Sequence, residues 1–406
     1  MTRKTATHAG LAVLLAWTAT ALLAAAAADG TTGAAASAAG KPTWLVIPGF
    51  WPGTGTEVVG SAAGRGWIGF EKENGSSRST LLLGSLRSVG GRLSFAKTTL
   101  DAGIPMEIVG SQLVYHVPET SRVELRTAPL LANGSVGTPR AVPDDPETIP
   151  PQQDHPGVAD GVQVGDRYVW VLTGYRITGS TGFMWVCCTS AGELSDLSRF
   201  IDHKRDMRSL QLERDANGRL WLAWLDVYLR KGWGAVKMVE LDPDTLVART
   251  AKPFVAPAPD SWLQPQLVCA DSCRIVVQDL GGDIFTWAPR ERSATRIVTG
   301  SRTSPTELLS ASFRSGALEV ASGRFLQLHK PPWSVEEISV ARGDARGAHA
   351  RRLSVAPVPF ATNSQFQWQH PAYAAFVPGG LAFFEKYYNY ENDASRFLAG
   401  FLPLAG

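Results

Sequence analysis

Four polar residues in this chain are each followed by proline: His155-Pro156, Gln264-Pro265, Ser304-Pro305 and His370-Pro371. Charged, amide and aromatic residues gather beside them, among them Asp154, Asp206, Arg208, Trp262, Arg302, Glu307, Gln367 and Trp368. Brought to one place, such residues would form a polar mouth with aromatic edges, suited to hydrogen bonding and stacking on a ligand. The candidate ligand-binding set is Asp154, His155, Asp206, Arg208, Trp262, Gln264, Arg302, Trp368 and His370. The competing role for these residues is local, since Asp and a residue before Pro also satisfy backbone groups where strands begin. Hydrolysis would need two carboxylates within roughly 5–9.5 Å, and the pool for that pair is Asp154, Asp206, Asp260, Glu307 and Glu385. No single residue is assigned a catalytic role. Neither Cys pair has a partner pair at ribbon or finger spacing, and a site on His155 and His370 is the weaker alternative, so neither metal nor cofactor is expected. The Tyr387-Tyr388-Asn389-Tyr390-Glu391 run, with Glu385 nearby, has a phenol beside a carboxylate, but it reads first as an aromatic strand.

Cysteine gives a sharper local signal. Laying Val268–Ile275 on Glu213–Leu220 puts Cys273 where Gly218 stands and Cys269 where Arg214 stands, so the two cysteines flank a hairpin turn. A Cys269–Cys273 disulfide would lock a turn that lacks its glycine. Cys187 and Cys188 lie in an apolar run where adjacent residues face opposite ways, and they read as separate buried thiols rather than a vicinal disulfide. Arg342-Gly343-Asp344 matches an adhesion tripeptide too short to carry weight, and Asn74 and Asn133 fit glycan acceptors.

These residues need a scaffold, and its unit is clearest at Leu210–Asp226. Two apolar runs there flank Asp215-Ala216-Asn217-Gly218, a β-turn with side-chain acceptors and a glycine free to take positive φ. Looser copies follow a glycine at Gly66-Trp67, Gly110-Ser111, Gly165-Asp166, Gly282-Asp283, Gly316-Ala317 and Gly380-Leu381. Recurrence on the scale of ~40–60 residues is the period of one four-stranded propeller blade. Cuts fall at about 60–104, 105–150, 154–205, 206–260, 261–305, 306–360 and 366–406. The expected fold is therefore an all-β propeller of about seven four-stranded blades, with six as the alternative count. The last segment is one strand short, and Thr43–Pro48 would supply it, so that the N-terminal strand closes the ring. The 13 Trp, 40 Gly and 26 Pro among 406 residues fit such a punctuated, aromatic β-protein.

At the N-terminus Arg3 and Lys4 precede an apolar run, and Ala26-Ala27-Ala28 before Asp29 fits a signal-peptidase site. Residues 1–28 read as a signal peptide, 29–42 as a flexible linker and 43–406 as the propeller domain. An uncleaved anchor is the alternative for 1–28, although its alanines make it weakly apolar. The expected location is thus extracellular or periplasmic, with no stable membrane insertion after cleavage. Cleavage removes two of the 39 basic residues and leaves them equal in number to the 37 acidic ones. A neutral surface lacks the electrostatic footprint for nucleic acid. The partners left are an extracellular small molecule, a glycan or a protein surface.

The Asp215–Trp221 turn and the Asp242-Pro243-Asp244-Thr245-Leu246 that follows resemble blade segments of secreted bacterial β-propellers, including sialidase-like ones. The sialidase-type Asp-box is Ser/Thr-x-Asp-x-Gly-x-Thr-Trp; here Asp215 and Gly218 stand one residue too far apart, with no Ser or Thr before them. The arginine-triad signature is also missing. The resemblance therefore implies architecture and transfers no catalytic residue. It leaves two functional classes: a module binding an extracellular ligand, a glycan among them, at the channel mouth, and a glycoside hydrolase or polysaccharide lyase built on the same channel.

Overall fold

The computed structural model describes residues 42–48, 50, 57–73, 79–100, 103–118, 123–142, 157–175, 182–187, 194–201, 205–228, 233–257, 262–300, 306–327, 334–357, 366–367, 373–389 and 394–404. All of these belong to the unit spanning residues 38–406. The leader and nearly all of the linker expected from sequence lie outside the described residues.

Strand β1, Thr43–Ile47, comes first in the chain and pairs last. Sheet I then holds β2 (Glu57–Ala62), β3 (Arg65–Glu73), β4 (Ser79–Val89) and β5 (Arg92–Leu100). Sheet II holds β6 (Ile104–Val109), β7 (Gln112–Pro118), β8 (Val123–Pro129) and β9 (Arg140–Ala141). In sheet III are β10 (Gly157–Val164), β11 (Arg167–Tyr175), β12 (Gly182–Cys187) and β13 (Ser195–Asp196). Sheet IV has eight strands: β14 (Arg205–Arg214), β15 (Leu220–Tyr228), β16 (Gly234–Leu241), β17 (Phe254–Val255), β18 (Trp262–Cys269), β19 (Cys273–Asp279), β20 (Ile284–Trp287) and β21 (Thr295–Val298). Sheet V comprises β22 (Thr306–Arg314), β23 (Ala317–Gln327), β24 (Ser334–Gly343) and β25 (Arg351–Pro357). Sheet VI joins β26 (Phe366–Gln367), β27 (Tyr373–Val377), β28 (Gly380–Asn389) and β29 (Ala394–Pro403) to β1. Every pairing is antiparallel.

The first strands β2, β6, β10, β14, β18, β22 and β27 neighbour one another in that order, and β27 returns to β2. The result is a closed propeller ring. The expected count of about seven four-stranded blades, with six as the alternative, is corrected: the described strands hydrogen-bond into five sheets of four or five strands and one of eight. The eight-stranded sheet arises because β16 and β18 meet at one residue pair, Gly234 with Trp262. The glycine itself answers to the ladder on its other side: a Cβ at Gly234 would lie 1.9 Å from the Asp226 carbonyl oxygen of β15. Closure follows the sequence reading, with Thr43 opposite Phe401 and Ile47 opposite Phe397 along β1 and β29.

The core sits between sheets. Trp224, Leu222 and Val239 of sheet IV pack on Val169, Val171 and Val186 of sheet III, while Phe384, Phe397 and Ala399 of sheet VI pack on Ile68 and Phe70 of sheet I. Each such aliphatic or Phe side chain contributes roughly 1.5–3 kcal/mol on burial. Alternation along each strand is what makes this possible, because one face meets the preceding sheet and the other meets the next. Both faces are therefore apolar, and the polar residues collect on the innermost strands and at the turns.

Candidate functional site: the central channel

Much of the sequence-predicted mouth, namely Asp154, His155, Arg302, Trp368 and His370, lies outside the described residues. Asp206 and Gln264 are on β14 and β18, with side chains outside the described set. Arg208 is exposed on β14. Trp262 is placed differently from the expectation: it is 2 % exposed and packs edge-to-face on Phe285 at 5.3 Å, inside the core of sheet IV. Gln264-Pro265 also departs from the expected strand start, because Pro265 falls inside β18 at an irregularity between Leu263 and Gln266. Pro105 stands at the matching irregularity of β6. A bulge frees a position from its ladder donor, so proline is tolerated there.

These bulges organise the channel. The inner strands β6, β10, β14, β18 and β22 each shift register once, and the residue resuming the ladder is Glu107, Asp160, Gln211, Gln266 and Ser310 in turn. A bulge leaves backbone groups without ladder partners. Side chains from the preceding inner strand take them up. Gly161 N donates to Glu107 Oε2 at 3.1 Å, and Leu212 N donates to Asp160 Oδ2 at 2.5 Å. Leu267 N donates to Gln211 Oε1, whose Nε2 donates to Pro265 O at 3.2 Å. Gln266 Nε2 donates to Leu309 O at 3.2 Å. Sequence reasoning missed this set. Its signal is a polar residue inside each first strand, but it stands three residues before Gly110, five before Gly165 and seven before Gly218, so the turn glycines give no fixed offset.

A cavity of about 410 Å³ runs along these strands, lined by Glu107, Asp160, Gln211, Glu213, Gln266, Ser310 and Ser312 and closed by β2 and β27. That volume falls in the roughly 300–1,000 Å³ range of ligand pockets. Its electrostatics rest on three carboxyls. Burial pushes Glu107 well above the ordinary range, and the Asp160 charge and the hydrogen bond between them push the same way. Asp160 is raised by burial too, although the Glu107 bond and the N–H groups of Leu212 and Gly161 oppose the rise. Two backbone donors favour the ionised form of Asp160. The proton of the pair therefore sits on Glu107, which donates it to Asp160. Glu213 is reached by solvent, yet crowding by the channel wall and then the Asp160 charge push its pKa to about 7. No lysine or arginine is among the lining residues, and among the described residues no group of three ligating side chains is placed to hold a metal ion. The arrangement presents hydrogen-bond donors and acceptors to a neutral, hydroxyl-rich or weakly cationic group.

A second device fixes the outer turns. Asp215 Oδ1 accepts from Asn217 N and Arg219 N, and its Oδ2 from Arg219 Nε and Trp221 Nε1. Asp279 Oδ1 likewise accepts from Gly281 N and Asp283 N, and Asp344 Oδ1 from Arg346 N and Ala348 N. In each turn the glycine three residues on, Gly218, Gly282 or Gly347, has positive φ and donates to the Asp carbonyl. Asp344 thus serves a turn, which accounts for the adhesion-like tripeptide. Cys269 and Cys273 are joined as expected, and their loop supports the next turn: Ala216 N donates to Ala270 O at 2.7 Å and Asn217 Nδ2 to Asp271 O at 2.6 Å. Cys187 corrects the expectation of a free thiol, since it is disulfide-bonded and fully buried. Cys188 lies outside the described residues.

No protein-family model and no curated protein matches the chain. Among solved structures it is similar to a polysaccharide lyase of family PL25, an ulvan lyase, at a TM-score of 0.47 and 7 % identity over 85 % of this chain and 91 % of that one. It is also similar to YCF48 bound to D1 peptide, at 0.43 and 10 % over 90 % and 96 %. The β-propeller domain of the Trilobed protease from Pyrococcus furiosus gives 0.42 and 8 % over 84 % and 93 %. Likeness at this level says nothing of substrate or site.

Proposed function

We propose that this protein is an exported β-propeller that binds a hydroxyl-rich extracellular ligand, a glycan in the first instance, in its central channel. The observation that supports it is the 410 Å³ cavity in which Glu213 faces solvent among amide and hydroxyl side chains. Glu107, Asp160, Gln211 and Gln266 hold backbone, so they shape the wall; Glu213 is placed to meet a ligand hydroxyl. Export is supported by the leader-like residues 1–28 and by the Cys269–Cys273 disulfide, a bond that persists in oxidising compartments. On this reading the residues at the Pro-marked rim, His155, Arg208, Gln264 and His370 among them, extend the channel into a mouth.

The test is a glycan panel followed by calorimetry. Glu213→Gln should weaken binding about tenfold, roughly 1.4 kcal/mol, because it removes one charge-assisted hydrogen bond. His155→Ala with His370→Ala should weaken it without moving the melting temperature. The reading fails if no glycan binds, or if Glu213→Gln binds as tightly as the wild type.

A specific observation also supports the enzymatic reading. Glu213, with its pKa of about 7, beside the hydrogen-bonded Asp160 carboxylate would supply the unlike pair that acid–base hydrolysis requires. Asp160 uses its oxygens on Gly161 N and Leu212 N, which ranks this reading second. Release of reducing ends from a bound glycan, abolished by Glu213→Gln, would reverse the order.

A further inference from the structure

Away from the channel, between β21 and the face of sheet V turned toward it, lies a second cavity of about 190 Å³. Its wall continues an apolar interface that changes character along the strands. On β23 the buried residues Leu318 and Val320 are followed, at the strand period of two, by Ser322 and Arg324. On β24 the buried Ala341 gives way to Ser339 and Glu337. Register places Thr306, Arg324 and Glu337 opposite one another in one row, with Ser322 opposite Ser339 in the next.

The partners in this row are unevenly shared. Glu337 accepts a hydrogen bond from Arg352 Nη2, and the Ser322 and Ser339 hydroxyls meet at 3.1 Å. Arg324 has no hydrogen bond or ion pair among the described residues, and its Nε is buried. Two guanidiniums and one carboxylate leave the crevice with one uncompensated positive charge. A guanidinium carries five donors in a fixed fork and cannot lose its charge, so a shielded Arg without an acceptor is costly. The fork fits a planar or tetrahedral oxyanion. At ~30 Å³ per water the cavity has room for about six, enough for such a group and its hydration but not for a sugar ring beside it.

We propose that this crevice binds a single oxyanion, a carboxylate or sulfate group, on the Arg324 fork with hydroxyl donors from the Ser322–Ser339 pair and Thr306. The group is either a free ion or the acidic substituent of a saccharide whose ring stays outside. The site is separate from the channel and does not depend on it.

The experiment is titration of the purified protein with sodium sulfate and sodium acetate at constant ionic strength, read by calorimetry and by melting temperature. Saturable binding to wild type is expected, with at least a tenfold loss in Arg324→Gln, a smaller loss in Arg324→Lys, which keeps the charge without the fork, and none in Glu213→Gln. Sulfate also stabilises proteins by exclusion from their surface, but that effect moves wild type and Arg324→Gln alike. Parallel shifts in the two, or no saturable heat with wild type, overturn the proposal. Should Arg324→Gln fail to fold, Arg324→Lys and the wild-type calorimetry decide it by the same criteria. Competition by galactose 6-sulfate would identify the source as a saccharide substituent, whereas sulfate binding that galactose 6-sulfate leaves unchanged would identify a free ion.

Discussion

Asp160 holds two strands together through one carboxylate, accepting from Gly161 of its own strand and from Leu212 of the next. Its neighbours make the ring sensitive to pH. Glu107 and Glu213 both have folded pKa values raised above the ordinary 4.5, and for Glu213, raised to about 7, the folded state binds more protons than the unfolded chain between those two values. Stability from this source is complete below pH 4.5 and is lost as pH rises through 7. The melting temperature should therefore fall between pH 5 and 8, and Glu213→Gln should flatten that slope; an unchanged slope would mean that Glu213 does not titrate there. Asp242 acts with the opposite sign. Backbone N–H bonds from Thr245, with the Arg249 guanidinium, hold it at about 2, so its contribution is present above its ordinary range and lost as pH falls toward 2. The Asp turns offer a graded comparison. Asp215→Ala strands the Trp221 and Arg219 donors around a 4 % exposed site and should cost about 3 kcal/mol, whereas Asp344→Ala at an exposed turn should cost about 1 kcal/mol, measured by urea unfolding. Asp215 and the Cys269–Cys273 pair were legible because a turn is a local event. The carboxyls of the channel were not, since Glu107, Asp160 and Glu213 lie about 53 residues apart and meet only through the order of the inner strands.

Most of the glycine-led runs that marked the repeat turn out to be second strands: β3, β7, β11, β15, β23 and β28 begin within two residues of Gly66, Gly110, Gly165, Gly218, Gly316 and Gly380. Gly282 breaks the phase and leads the third strand, β20, because in that unit Cys273 occupies the second-strand start. The disulfide replaces what the glycine does elsewhere, and it also positions the carbonyls that the neighbouring Asp215 turn uses. Cys269→Ser with Cys273→Ser should cost about 2 kcal/mol for so short a loop. Amide exchange should localise the effect: Ala216, bonded across to Ala270, should exchange faster, while Gly218, bonded within its own turn to Asp215, should not. The closing strand gives the other test at this scale. Deleting residues 43–49 should expose the edge of β29 and promote aggregation, whereas deleting 29–42 should leave solubility and melting temperature unchanged. Equal behaviour of the two truncations would show that β1 is dispensable.

For the whole molecule, circular dichroism should show strand with little helix, since among the described residues the one helical stretch is the 3₁₀ turn Ser198–Phe200. The ring was readable in sequence because one unit cannot bury both faces alone, so each repeats its apolar alternation. The joining of two four-strand runs into sheet IV was not, as it rests on a single pairing of residues 28 apart, Gly234 and Trp262. The seam between β1 and β29 also sets a timetable. Thr43 leaves the ribosome some 350 residues before Phe401, an interval of roughly 20–70 s at 5–20 residues per second. Until β29 has emerged the first strand has no partner, so closure comes late and is a slow, long-loop step. A synthetic peptide spanning residues 42–50 should therefore compete for β29 during refolding and leave a fraction of molecules with their own β1 displaced, while the same peptide added to finished rings should find the seam taken.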